Sequence, residues 1–140
     1  QNFVYLDKNY VRMLGGIQET LAAAAGAGQR VKAIQLRGET NPVAAEAIAA
    51  VQAGADILMV DTGCIEDARA VSTALRDRGV RETVRIAYSG GIRIEDLAGL
   101  QREDIDIVDI GRAVIDAPLL DMTLDVAGPF TEAAGSHEGS

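Results

Sequence analysis

Five short apolar runs, each breaking off at a polar or glycine-bearing segment, constrain this chain more than any other feature. They lie at Phe3–Leu6 (FVYL), Val31–Leu36 (VKAIQL) and residues 57–60 (ILMV), 84–87 (VRIA) and 105–110 (IDIVDI). A helix-like stretch separates each run from the next. Strand–helix units of about 25–30 residues predict a parallel sheet with right-handed crossovers, in the order β-α-β-α-β-α-β-α-β. The unbroken apolar run at 57–60 suits a strand covered on both faces, as parallel sheets require. The expected class is α/β. Five strands are too few to close an eight-stranded barrel. The chain therefore reads either as an open parallel sheet or as the later part of a TIM-like barrel whose first part lies outside it. The strand at the very start favours the second.

The connecting segments carry their own signals. Gly15-Gly16 opens a helix over Ile17–Ala25, with Ile17, Thr20, Leu21 and Ala24 on one face. Asn41 is a good N-cap and Pro42 a good first helical residue for a helix over residues 43–53, which Gly54 ends at C′. Residues 65–78 form the next helix, burying Ala68, Val71, Ala74 and Leu75 and stopping at Gly79. Residues 94–100 make a short helix with Glu95 and Asp96 in its first turn. Residues 7–10 (DKNY) read as a polar strand end. The barrel portion spans 1–126, and 127–140 reads as a flexible tail without periodicity.

Composition removes several kinds of function. A net charge of −8 argues against a nucleic-acid partner, and 4% aromatics without Trp leaves little on which bases could stack. One cysteine excludes a disulfide framework and fits a reducing cytoplasm. The sequence has no leader pattern and no run of apolar residues long enough to span a bilayer. His137, the only histidine, lies in the tail, which speaks against a local Ser-His-Asp or histidine metal site. Cys64 reads as packed at a helix start.

The strongest candidate site lies at the ends of the last two strands. Ser89-Gly90-Gly91 and Gly111-Arg112 each follow an apolar run and precede a helical segment. Two such ends side by side surround a hollow with backbone N–H groups, which suits a phosphate. Arg112 could supply the counter-charge. Asp61 stands at the tip of the third strand and Lys8 just past the first, where parallel-sheet proteins place working groups.

These motifs, in this order, make the chain resemble the C-terminal barrel of the quinolinate phosphoribosyltransferase family, the carboxylating nicotinate-nucleotide pyrophosphorylases. The family's Lys-Asp-Asn-His strand end and Gly-Gly helix start are matched by Leu6-Asp7-Lys8-Asn9-Tyr10 and Gly15-Gly16. Its Leu-Asp-Asn is similar to Val60-Asp61-Thr62, and its Ser-Gly-Gly-Ile is present as Ser89-Gly90-Gly91-Ile92. Residues 110–116 and 117–125 are similar to its closing segments, so the similarity runs from about residue 3 to 126. The resemblance implies transfer of a 5-phosphoribosyl group from phosphoribosyl pyrophosphate to a pyridine nitrogen, with Mg²⁺ neutralising the pyrophosphate. By position, Ser89, Gly90, Gly91, Gly111 and Arg112 would hold the 5-phosphate. Asp61, with Lys8, would be catalytic, Asp61 meeting the ribose hydroxyls directly or through Mg²⁺. Arg37, Glu39 and Asn9 would face the ribose or the acceptor. A homodimer with a further N-terminal domain is implied as well.

The departures concentrate at the acceptor end. Lys8 and Asp7 are exchanged relative to the family, Tyr10 and Ile115 replace histidines, Ala87 replaces a frequent glutamate, and Arg37 stands where a carboxylate is expected. Two other readings stay open. One is a phosphate-binding barrel with lyase or isomerase chemistry on Lys8; the other is a non-catalytic homologue that binds a phosphate or a partner chain.

Overall fold

The computed structural model describes residues 3–26, 28 and 30–110. Five parallel strands form one sheet in sequential order: β1 (Phe3–Leu6), β2 (Val31–Leu36), β3 (Ile57–Asp61), β4 (Arg85–Ser89) and β5 (Ile107–Val108). The helices are α1 (Lys8–Leu14), α2 (Ile17–Ala25), α3 (Val43–Gln52), α4 (Ile65–Asp77) and α5 (Leu97–Leu100). Short 3₁₀ turns at Arg81–Thr83 and Ile94–Asp96 precede β4 and α5.

Helix periodicity and strand alternation build the core together. In α4, Ala68, Val71, Ser72 and Leu75 are buried at a spacing of three to four residues. Ala68, Val71 and Leu75 form one core cluster with Leu58 and Val60 of β3 and Ile86 and Tyr88 of β4, which point to the same side of the sheet. Each large aliphatic side chain in this layer contributes about 1.5–3 kcal/mol through burial.

The opposite face carries Tyr5, Gln35, Met59, Asp61 and Ser89. Ile57, Met59 and Asp61 are only half-buried, so β3 is covered fully on one face rather than both. That is a correction to the reading of residues 57–60. Parallel strands in sequential order place all crossovers on one side, and no described element lies over the other.

Several local expectations change. Residues 8–14 form a helix, α1, whose signal is its cap: the Asp7 carboxylate accepts from the amides of Asn9 at 2.9 Å and Tyr10 at 3.2 Å. None of its residues is buried, so no apolar stripe betrays it. Pro42, not Asn41, is the N-cap of α3, and it offers no side-chain acceptor; the Asn41 amide instead reaches Thr40 Oγ1. Cys64 does sit at the start of α4, but exposed, with its thiol 3.3 Å from Glu66 Oε2. The last strand covers two residues where six were expected. Residues 127–140 lie outside the described part.

Candidate functional site

Two hollows open at the C-terminal ends of the strands. The smaller, of about 220 Å³, is a cup lined by Tyr5, Met59, Asp61, Ser89, Gly90, Gly91, Ile92 and Asp109. Register builds its floor. Asp61 and Ser89 are direct partners across β3 and β4, and the Ser89 hydroxyl donates to Asp61 Oδ1 at 2.9 Å. The loops beyond them meet backbone to backbone, with the Gly63 amide donating to the Ser89 carbonyl at 3.1 Å. Neither loop tolerates a side chain at the crossing. A Cβ on Gly63 would lie 2.5 Å from the Gly90 carbonyl oxygen, and one on Gly90 would lie 2.8 Å from the Gly63 Cα. Both glycines have positive φ, 68° and 110°.

The amides of Gly90, Gly91 and Ile92 donate to no described residue. Ile92 is buried and fixes the far side of this loop. The result is a short arc of N–H groups with no acceptor among the described residues, beside an oriented carboxylate, which is the chemistry of an oxyanion seat. The Tyr5 hydroxyl donates to Met59 Sδ at 3.3 Å. Burial, then the charges of Asp61, Asp7 and Asp109, raise its pKa above the ordinary phenol value, so it keeps its proton as a donor.

Asp61 is held from three directions. Oδ1 accepts from Ser89, and Oδ2 accepts from Gln35 Nε2 and, at 3.4 Å, from Arg37 Nη1. The Gln35 Oε1 accepts from the Lys8 backbone amide at 2.8 Å, so one amide side chain couples the start of α1 to the carboxylate.

The larger hollow, of about 600 Å³, lies between α1, the start of α2, α3 and residues 37–41. Lys8, Arg12, Arg37, Glu39 and Glu46 all line it. Arg12 grips Glu39 with two contacts, of 2.6 and 3.0 Å, and this hydrogen-bonded pairing lowers the Glu39 pKa. Arg37 reaches Glu39 at 3.5 Å as well as Asp61. The ammonium of Lys8 makes no hydrogen bond or ion pair with a described residue. Buried Glu46 accepts from the Gly38 amide at 3.0 Å and anchors the loop after β2.

Of the residues singled out in the sequence, the fold gathers Asp61, Ser89, Gly90 and Gly91 into the cup. It strings Arg37 and Glu39 into an ion chain that runs from Asp61 to Arg12. Lys8 lines the larger hollow rather than the cup, and Asn9 is turned onto Asp7 at 3.2 Å and lines neither. Gly111 and Arg112 lie outside the described residues. The sequence reading missed Tyr5, Gln35, Gly63 and Arg12. Thr62-Gly63 directly after Asp61 repeats the polar-glycine ending of β4, a signal that could have found Gly63.

Asp61 is crowded as a ligand for the Mg²⁺ that the resemblance implies. Its two oxygens accept three hydrogen bonds, a guanidinium stands 3.4 Å away, and the described residues form no group of three or more Asp, Glu, His or Cys that could hold a metal by themselves. No helix among them is long and apolar enough to cross a membrane.

Comparison with known proteins agrees with the fold. The family model for the C-terminal domain of quinolinate phosphoribosyl transferase matches residues 1–125. A probable carboxylating nicotinate-nucleotide pyrophosphorylase from Archaeoglobus fulgidus is 31% identical over 121 residues, 86% of this chain and 45% of that protein. The human nicotinate-nucleotide pyrophosphorylase (carboxylating) is 27% identical over 121 residues, 86% of this chain and 39% of its own length. The crystal structure of NadC from Streptococcus pyogenes superposes with a TM-score of 0.63 and 25% identity, over 77% of this chain and 35% of that one. The chain thus spans less than half the length of these relatives.

Proposed function

The chain belongs to the quinolinate phosphoribosyl transferase family, and from that premise we propose that its cup seats the 5-phosphate of phosphoribosyl pyrophosphate. The single observation that carries this reading is the arc of amides at Gly90, Gly91 and Ile92, which donate to no described residue, beside the fixed carboxylate of Asp61. With the phosphate seated there, the ribose lies over Asp61. In the transfer, the bond from the anomeric carbon to pyrophosphate breaks as the bond to a ring nitrogen of a pyridine-carboxylate acceptor forms. The anomeric carbon gains positive charge on the way. A carboxylate held still by Ser89 and Gln35 stabilises that charge without reorganising. Seating both ends of the donor supplies the orientation term. In the whole protein the acceptor is held partly by chain beyond this portion; we take that protein to be a cytoplasmic homodimer whose sheet continues into a barrel.

Calorimetric titration with phosphoribosyl pyrophosphate tests the reading. Saturable binding is expected, weakened about tenfold or more in Gly91→Asp, which sets a carboxylate at the phosphate seat. A Cβ at Gly91 meets nothing within 4 Å, and aspartate accepts positive φ better than most residues, so this variant should keep the fold. A folded parent that binds nothing, or a variant that binds equally well, would remove the support for a phosphate seat.

A further inference from the structure

No described residue that lines the cup is cationic. Asp61 stands in its floor, Asp7 lies close enough to raise the Tyr5 pKa, and the whole chain carries −8. A diphosphate arriving beside Asp61 needs a cation, and Asp61, with three hydrogen bonds on its two oxygens and a guanidinium beside it, is a crowded ligand for a metal ion. Among the described residues, the cation in contact with Asp61 is Arg37, which stands between the two hollows.

We propose that Arg37 takes the diphosphate directly, so that this chain binds a phosphoribosyl diphosphate without a divalent cation. The inference rests on the phosphate-seat reading above. Its geometry is that of a tethered but uncommitted guanidinium. Arg37 touches Asp61 at 3.4 Å and Glu39 at 3.5 Å, whereas the committed pair Arg12–Glu39 closes to 2.6 Å. The side chain is 38% exposed and has five N–H donors, of which these long contacts use two. The planar fork matches a phosphate bidentately. Glu39, already gripped by Arg12, loses little when Arg37 turns away. The ammonium of Lys8, which pairs with no described residue, lines the hollow into which Arg37 also projects, and it provides a second charge for the same group.

Paired titrations of the chain, with Mg²⁺ and with EDTA, test this against both phosphoribosyl pyrophosphate and ribose 5-phosphate. The expected result is a diphosphate affinity that agrees within about threefold between the two conditions. Arg37→Gln should weaken it about tenfold or more in both, while ribose 5-phosphate, which lacks the diphosphate, loses no more than about threefold through the lost Arg37–Asp61 contact. Arg37→Glu should bind the diphosphate only when Mg²⁺ is present. Melting curves check that both variants stay folded, as an exposed position allows. If EDTA abolishes diphosphate binding while ribose 5-phosphate still binds, the role of Arg37 is wrong and the phosphate seat survives. An unchanged affinity in Arg37→Gln overturns the role equally. If neither ligand binds the folded parent, both readings fall.

Discussion

Gly90→Ala is expected to destabilise the chain by about 2–5 kcal/mol and to abolish anion binding at the cup. Two costs combine. An L side chain at φ 110° is strained, and its Cβ would drive into the Gly63 amide, a backbone atom that cannot step aside as a flexible side chain would. Gly63→Ala meets the Gly90 carbonyl at 2.5 Å and should cost a similar amount. Gly91→Ala, which also has positive φ (72°) but open space around its Cβ, should cost only about 1 kcal/mol. The same crossing is relieved by either of the first two changes, so the Gly63→Ala/Gly90→Ala double variant should cost less than the sum of its parts. Chemical denaturation of the four variants gives this ordering directly. Equal effects at Gly90 and Gly91 would show that backbone strain alone, and not the crossing of the loops, sets the requirement for glycine.

The second large effect lies away from the cup, in the anchor that brings β5 to the sheet. Arg81 is buried and holds Asp104 through Nε and Nη2, both at 3.0 Å, Asp106 at 2.9 Å, and the Val84 carbonyl at 3.0 Å. Burial works against its charge, but the hydrogen bonds to Asp104 and Asp106 outweigh it and leave its pKa raised. Asp106 in turn accepts from the Ile86 amide at 2.8 Å, which ties the approach of β5 to β4. Arg81→Met should therefore cost about 2–3 kcal/mol, because it removes the charged hydrogen bonds to both carboxylates and leaves the Val84 carbonyl without its donor, while Ser72, Arg76 and the Ile86 amide stay on the two aspartates.

The same anchor makes a pH prediction. Burial disfavours the Asp104 carboxylate, yet donors from Ser72, Arg81 and Arg76 overcome that and bring its pKa from 3.8 to about 2. A depressed carboxylate pKa contributes stability that is complete above the unfolded value, near pH 4, and is lost as pH falls towards 2. The carboxylate is about one-third exposed, so the contribution is about 1 kcal/mol rather than the full value of the shift. The melting temperature of the parent should fall below pH 4, and more steeply than that of Asp104→Asn. Identical acid limbs would mean that Asp104 carries no such linkage.

What the sequence disclosed depended on how local its signal was. The strands were legible because Ile57, Leu58, Met59 and Val60 or Ile86 and Ala87 stand together, and α2 and α4 because their apolar residues repeat at helical spacing. The first helix, α1, was not, since it packs only Val11 against the core, buries no residue fully and rests on one aspartate cap. Asp61, Ser89 and Gly91 could be found as strand-tip residues. Gln35 could not be assigned its task, because its partners lie 27 residues before it and 26 after it and meet only once β2 lies between β1 and β3. The Arg81 anchor joins residues 23 and 25 positions apart with no periodic mark in the chain. Its cause is tertiary.

The central claim is that the Gly90-Gly91-Ile92 amides seat a phosphate. Amide chemical shifts of the ¹⁵N-labelled chain, followed as ribose 5-phosphate is added, test it most directly. The account predicts saturable shifts that are largest at Gly90, Gly91 and Ile92, with a smaller response at Gly63 through the loop crossing. Shifts centred instead on Lys8 and Arg12, around the larger hollow, or no saturable shift at the cup, would contradict it.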